Sequence, residues 1–187
     1  MAQKTYKLKT AAATEPVSLV EAKLHLKVDL STDDNLINDL IDSAIAYVEE
    51  YTNRQLISAT WYRYLDCFPD NVIELDWCPV TSVSSVKYYD SDNTEQTLSS
   101  ANYVVDYASE PARIVLAWGY LWPDTYPRPN AVTVEFVTGY ASAAAVPKPL
   151  KSALLLMIAH NYENRGDEGH RKYPKAIYDL LEMYRLF

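Results

Sequence analysis

The hydrophobic pattern of this chain changes character twice, and that limits the architectures open to it. Leu36, Ile37, Leu40, Ile41, Ala44, Ile45, Val48 and Tyr51 recur at the 3.6-residue spacing that puts them on one side of an α-helix. From Thr60 the stretches TWYRYLD, VIELD, SVSSVKYY, YVVDY, RIVLAW and AVTVEFVTGY are rich in β-branched and aromatic residues and are separated by turn formers. Helical spacing returns after Pro147 and Pro149, with Leu150, Ala153, Leu154, Met157 and Ile158 on one face and Leu155 and Leu156 widening it. This order predicts an α+β fold, with a helical core from the N- and C-terminal segments and an inserted antiparallel β lobe. At 187 residues the chain reads as a single domain. Residues 1–14 form a flexible basic arm, 15–58 and 147–187 the helical core, and 59–146 the β lobe.

Local signals set the helix ends. Ser18 and Glu21 have capping-box spacing, Val17 and Ala22 can close a hydrophobic staple, and Leu19, Ala22 and Leu26 share a face. Thr32 or Asp33 is placed to cap the second helix, which the stripe carries to about Thr52. Pro174 suits the first turn of a last helix, with Ile177, Leu180, Leu181 and Tyr184 as its stripe. Met183, Leu186 and Phe187 add apolar surface beyond that stripe. The segment DSDN at 90–93 predicts a hairpin loop.

Charge and composition exclude several functions. The net charge is −8, which argues against a general nucleic-acid binder, since phosphate contacts need clustered Lys and Arg. The only charges in residues 1–14 are Lys4, Lys7 and Lys9, so a basic arm precedes an acidic body. No run approaches a membrane span and the first residues lack the apolar region of a signal peptide, so a soluble protein made in a cytoplasm is expected. Cys67 and Cys78 have neither CxxC spacing nor a histidine pair nearby and read as free thiols.

No catalytic constellation emerges. His25, His160 and His170 have no metal-ligand spacing. DSDNTE begins like a calcium loop but has Glu95 at the sixth position and Ala101 at the twelfth, where an EF-hand needs Gly and Glu. Neither a P-loop nor GxGxxG nor GxSxG occurs. Asp66, Asp70, Glu74 and Asp76 alternate with apolar residues as solvent-facing strand positions do. The chain is read as a non-enzyme without cofactor or metal. Its 16 tyrosines suit half-buried sites and interfaces. A β-rich carbohydrate- or peptide-binding module is the first alternative function, and a carboxylate-based hydrolase the second.

The order PVSLVEAKLHLKVD, LINDLIDSAIAYVEEYTNRQLISATW, CPVTSVSSVKYYDSDN, YVVDYASEPARIVL and PNAVTVEFVTGYASAAAVPKPLKSALLLMIAHNYENR resembles the head–tail connector (adaptor, or head-completion) proteins of long-tailed bacteriophages and gene-transfer particles. The likeness covers roughly residues 14–165, and WCP at 77–79 departs from the basic or proline-rich entry of that family. It implies a structural virion protein of the neck, assembled in the host bacterial cytoplasm. Such proteins form a ring, of twelve copies, beneath the portal, extend the DNA channel and meet the next neck or tail-completion protein. DNA would pass without sequence-specific binding, and no membrane is involved. Three surfaces are assigned on that expectation. Ile177, Leu181, Met183, Tyr184, Leu186 and Phe187 would contact the portal. Asp39, Asp42, Glu49 and Glu50 would face the channel, and Lys4, Lys7 and Lys9 would join subunits.

Overall fold

Ser18 begins the first helix in the way its spacing requires. Its hydroxyl accepts from Glu21 N at 3.2 Å, and its own N–H donates to Glu21 Oε2 at 2.9 Å. The computed structural model describes residues 5–164 and 173–186. Within them the helices are α1 (Leu19–Leu26), α2 (Asp34–Thr52), α3 (Lys148–Glu163) and α4 (Lys175–Glu182). The strands are β1 (Thr5–Thr10), β2 (Ala59–Leu65), β3 (Val72–Leu75), β4 (Val80–Tyr89), β5 (Glu95–Thr97), β6 (Tyr103–Asp106), β7 (Ala112–Leu116) and β8 (Val132–Thr138).

The described residues fall into two compact units. One joins residues 5–13 with Ser58–Gly139; the other joins Thr14–Ile57 with the described residues after Gly139. In the helical unit Val17, Ala22, Ile37, Ile41, Ala44, Val48, Leu150, Ala153, Leu154, Met157, Ile158, Ile177 and Leu181 are all buried. The stripes read from sequence thus converge on one core. Leu156 does not join it and stays 38% exposed. Asp33 occupies the N-cap of α2 without capping it, because its carboxylate instead accepts from the Tyr162 hydroxyl at 2.6 Å. Asn53 ends α2 in the left-handed region at φ 53°, which asparagine tolerates better than most residues. No helix among the described residues is long and apolar enough to cross a membrane.

The β unit is built from two antiparallel sheets, ordered β1-β2-β8-β4-β5 and β3-β7-β6. Alternation along β8 sends Val132, Val134 and Phe136 inward to meet Ile73 and Leu75 of β3, Val80 and Val86 of β4, and Ile114 of β7. The DSDN segment does close the β4–β5 hairpin: Asp90 Oδ1 accepts from Asp92 N and Thr94 N, each at 3.0 Å.

Residues read as part of a flexible arm are, over Thr5–Thr10, an edge strand of the larger sheet. Tyr6 explains why. Its ring packs edge-on to Phe136 at 6.2 Å, and its hydroxyl donates to Asp76 Oδ2 at 2.6 Å. Burial holds this phenol well above its ordinary pKa, the nearby Arg63 guanidinium pulling the other way. Five of the six residues of β1 are exposed, which left a charged stretch with little hydrophobic signal.

Candidate assembly surfaces

The C-terminal segment is tied to the end of α2 by its own chain. Arg54, buried beside this end, donates from Nε to the Tyr184 carbonyl at 2.7 Å. Leu186 N donates to the Thr52 carbonyl at 3.2 Å, and Asn53 Nδ2 to the Leu186 carbonyl at 3.3 Å. The Tyr51 hydroxyl donates to Glu182 Oε2 at 2.9 Å, which holds the phenol above its ordinary pKa. Aromatic rings fill the space around these bonds. Tyr47 stacks on Tyr51 with centroids 5.9 Å apart, Tyr173 meets Tyr47 edge-on at 5.2 Å, and Tyr178 tilts against Tyr51 at 6.0 Å. Much of the tyrosine content therefore belongs to the helical unit.

This arrangement divides the expected portal-contact residues. Ile177 and Leu181 lie in the core of the helical unit, because α4 turns its one strong apolar face inward, and they are removed from the candidate surface. Tyr184 and Leu186 are half-buried and Met183 is 65% exposed. Phe187 lies outside the described residues.

The acidic face of α2 also divides. Asp39, Asp42 and Glu50 are exposed. Glu49 turns instead into the corner after α2, where its Oε1 accepts from Gln55 Nε2 at 2.6 Å and from Leu56 N at 2.8 Å. Burial pushes its carboxyl up to about 7, the Leu56 hydrogen bond opposing the shift. Glu49 braces the corner and does not belong to an open acidic surface. The partners that hold it lie six and seven residues further on in irregular chain, so helical periodicity gave no sign of them.

Lys7 and Lys9 sit on β1. Lys9 Nζ meets Glu135 Oε1 at 2.7 Å and lies 5.2 Å from the centroid of the Tyr62 ring. The bond to Glu135 raises the Lys9 pKa. Lysines on an edge strand also discourage indiscriminate pairing with other sheets. Lys4 lies outside the described residues.

Two apolar features were not singled out by sequence. On α1, Val20 and Leu24 are 76% and 80% exposed, and Leu30 beyond it is 71% exposed. Between β7 and β8, Trp118 is fully exposed and Leu121 is 86% exposed. Among the described residues no group of three or more His, Cys, Asp or Glu could hold a metal ion.

The family profile described as phage gp6-like head–tail connector protein matches residues 16–113, just over half of the chain. No curated protein matches the sequence. Among solved structures, a chain from the neck of a native gene transfer agent particle computed with C12 symmetry is 26% identical, with a TM-score of 0.79 over 98% of this chain and 96% of that one. A chain from the virion of the native gene transfer agent particle is 25% identical, with a TM-score of 0.81 over the same shares. A chain from the neck of the empty particle computed with C6 symmetry shares the fold at 24% identity and a TM-score of 0.82, again over 98% and 96%.

Proposed function

The chain belongs to the phage gp6-like head–tail connector family, and from that premise we propose that twelve copies form a ring beneath the portal and extend the DNA channel toward the next neck or tail-completion protein. Its role is structural: it joins head to tail. One observation carries the finer reading, namely that 98% of the chain superposes on a chain from a neck with C12 symmetry. A closed ring of identical chains needs two different patches, one meeting the other on the next copy. The protein is assembled in the bacterial cytoplasm and takes its place in the neck of the virion.

Three contacts follow on this reading. Met183, Tyr184 and Leu186, with Phe187 after them, present the C-terminal segment to the portal, and Met183 is the apolar side chain most free to insert. Asp39, Asp42 and Glu50 line the channel, where repulsion from phosphate keeps the duplex from adhering as it passes. Lys7 and Lys9, with Lys4 ahead of them, meet the acidic surface of the next copy.

Genetic removal with biochemical restoration tests the function. Particles made without this protein are expected to yield DNA-filled heads and free tails, and the purified protein should restore joined particles. Normal joining in its absence would refute the reading.

A further inference from the structure

The connection from Ala117 to Ala131 is long for a β–β connection, and connections of about 12–15 residues or more without regular structure of their own usually serve a function. It is also firmly anchored. Ala117 N donates to the Asn102 carbonyl at 2.9 Å, and Trp122 stacks on Phe68 at 4.7 Å. Further along, Tyr126 N reaches the Tyr89 carbonyl at 3.0 Å, and the Arg128 guanidinium lies 4.0 Å from the Tyr89 ring centroid. Between these anchors a turn closed by Tyr120 N and the Ala117 carbonyl, 3.1 Å apart, lifts Trp118 and Leu121 into solvent. Gly119 at its centre has φ +85°, a conformation that L side chains rarely adopt. The chain thus holds a tryptophan outward, against the hydrophobic effect, on a shaped and supported turn.

The same chain carries a shallow apolar depression. The outer side of α1 and the segment after it form a groove of about 590 Å³ whose apolar lining is Leu19, Val20, Leu24 and Val28. Lys23 at its margin is neutralised by Asp34 at 2.6 Å. Lys27 and Asp29 line it too, and no bond to either side chain is seen among the described residues. On the loop, Asp124 is exposed and can oppose Lys27, while the Tyr120 hydroxyl can donate to Asp29.

We propose that in the assembled ring the Trp118–Leu121 turn of each copy inserts into the α1 groove of the next copy. The inference rests on the ring reading above and deepens it by naming the two patches of the head-to-tail contact. The turn projects and the α1 groove is shallow and open, they lie on different parts of one chain, and Asp124 and Lys27 carry opposite charge at their margins, as a heterologous contact between identical subunits can use. A contact centred on one tryptophan and one leucine is smaller than the roughly 1,200 Å² of a stable pairwise interface, so it strengthens a ring gathered on a template more than it dimerises the free protein.

Cross-linking on portal-bearing heads that lack this protein tests the contact. In a Cys67→Ser background, a chain carrying both Leu24→Cys and Leu121→Cys is added, treated with a short bismaleimide, run on a denaturing gel and imaged in parallel. A ladder of multiples of this chain, absent from each single-cysteine variant, is the expected result. Rings without a ladder would overturn the inference and leave the ring reading intact. So would ladders from a single-cysteine variant, or linkage of Leu121→Cys to a different protein. Absence of rings from every variant and from the unaltered protein would overturn both. Trp118→Ala should unfold like the unaltered protein yet need at least about tenfold more protein for half-maximal ring formation. Lys27→Asp should weaken rings and regain them when combined with Asp124→Lys. Unchanged assembly by Trp118→Ala, or no regain in the charge exchange, would count against the contact.

Discussion

Replacing Glu49 by Gln should stabilise the protein at pH 8 and do little at pH 5. Glu49 sits in the corner after α2, accepting from Gln55 and Leu56, with its carboxyl raised from 4.5 to about 7 by burial. Because the folded value lies above the unfolded one, the native state prefers the protonated form. The stabilisation is complete below about 4.5 and is lost as pH rises through about 7. At about 1.36 kcal/mol per pH unit, ionising this carboxyl in the fold costs at most about 3 kcal/mol, which access of water reduces to roughly 1–2 kcal/mol. A Gln side chain keeps an acceptor for the Leu56 N–H without the charge. Urea unfolding of both proteins at pH 5 and pH 8 measures the difference, and Glu49→Gln should flatten the fall in stability between them. An equal fall in both proteins, or a loss of stability at pH 8 on substitution, would show that Glu49 is ionised at no cost and refute the reasoning.

Tyr6→Phe removes the 2.6 Å bond to Asp76 and the 3.1 Å bond that Tyr6 accepts from Asp76 N, so a loss of about 1–3 kcal/mol and faster amide exchange in β1 and its partner β2 are expected. Truncation after Arg185 breaks the Leu186 bonds to Thr52 and Asn53, which should lower Tm by roughly 3–6 °C by calorimetry while attachment to portal-bearing heads is lost. Changing Asp39, Asp42 and Glu50 to Lys should leave unfolding almost unaltered, since the three are exposed, and should give the assembled ring measurable DNA binding that falls with salt. Replacing Lys4, Lys7 and Lys9 by Ser should weaken ring assembly most at low salt, read by sedimentation across a salt series.

Helices were the most legible part of the fold, because their signals are local. The Ser18–Glu21 box and the α2 and α3 stripes specify where a helix starts and which side it buries without reference to the rest of the chain. Strand β1 was hidden for the opposite reason. TYKLKT is short, and its place in the sheet depends on Asp76 and Phe136, far away in sequence. On the acidic side of α2 the helical spacing groups Asp39, Asp42, Glu49 and Glu50, and it gives no sign that Glu49 alone turns inward, because its neighbours arrive from the irregular Gln55–Leu56 segment. At the C-terminus the stripe of α4 was visible, yet not that Arg54 and Thr52 bind the backbone of Tyr184 and Leu186. Trp118 carried no signal, since only the anchored shape of its loop shows that it points outward.

Imaging of portal-bearing heads incubated with the purified protein reads partner, copy number and position from one reconstruction. The expected result is a ring of twelve copies seated on the portal with the C-terminal segments against it and an open channel through its centre. Heads that remain bare, or that carry the protein away from the portal vertex, would contradict it.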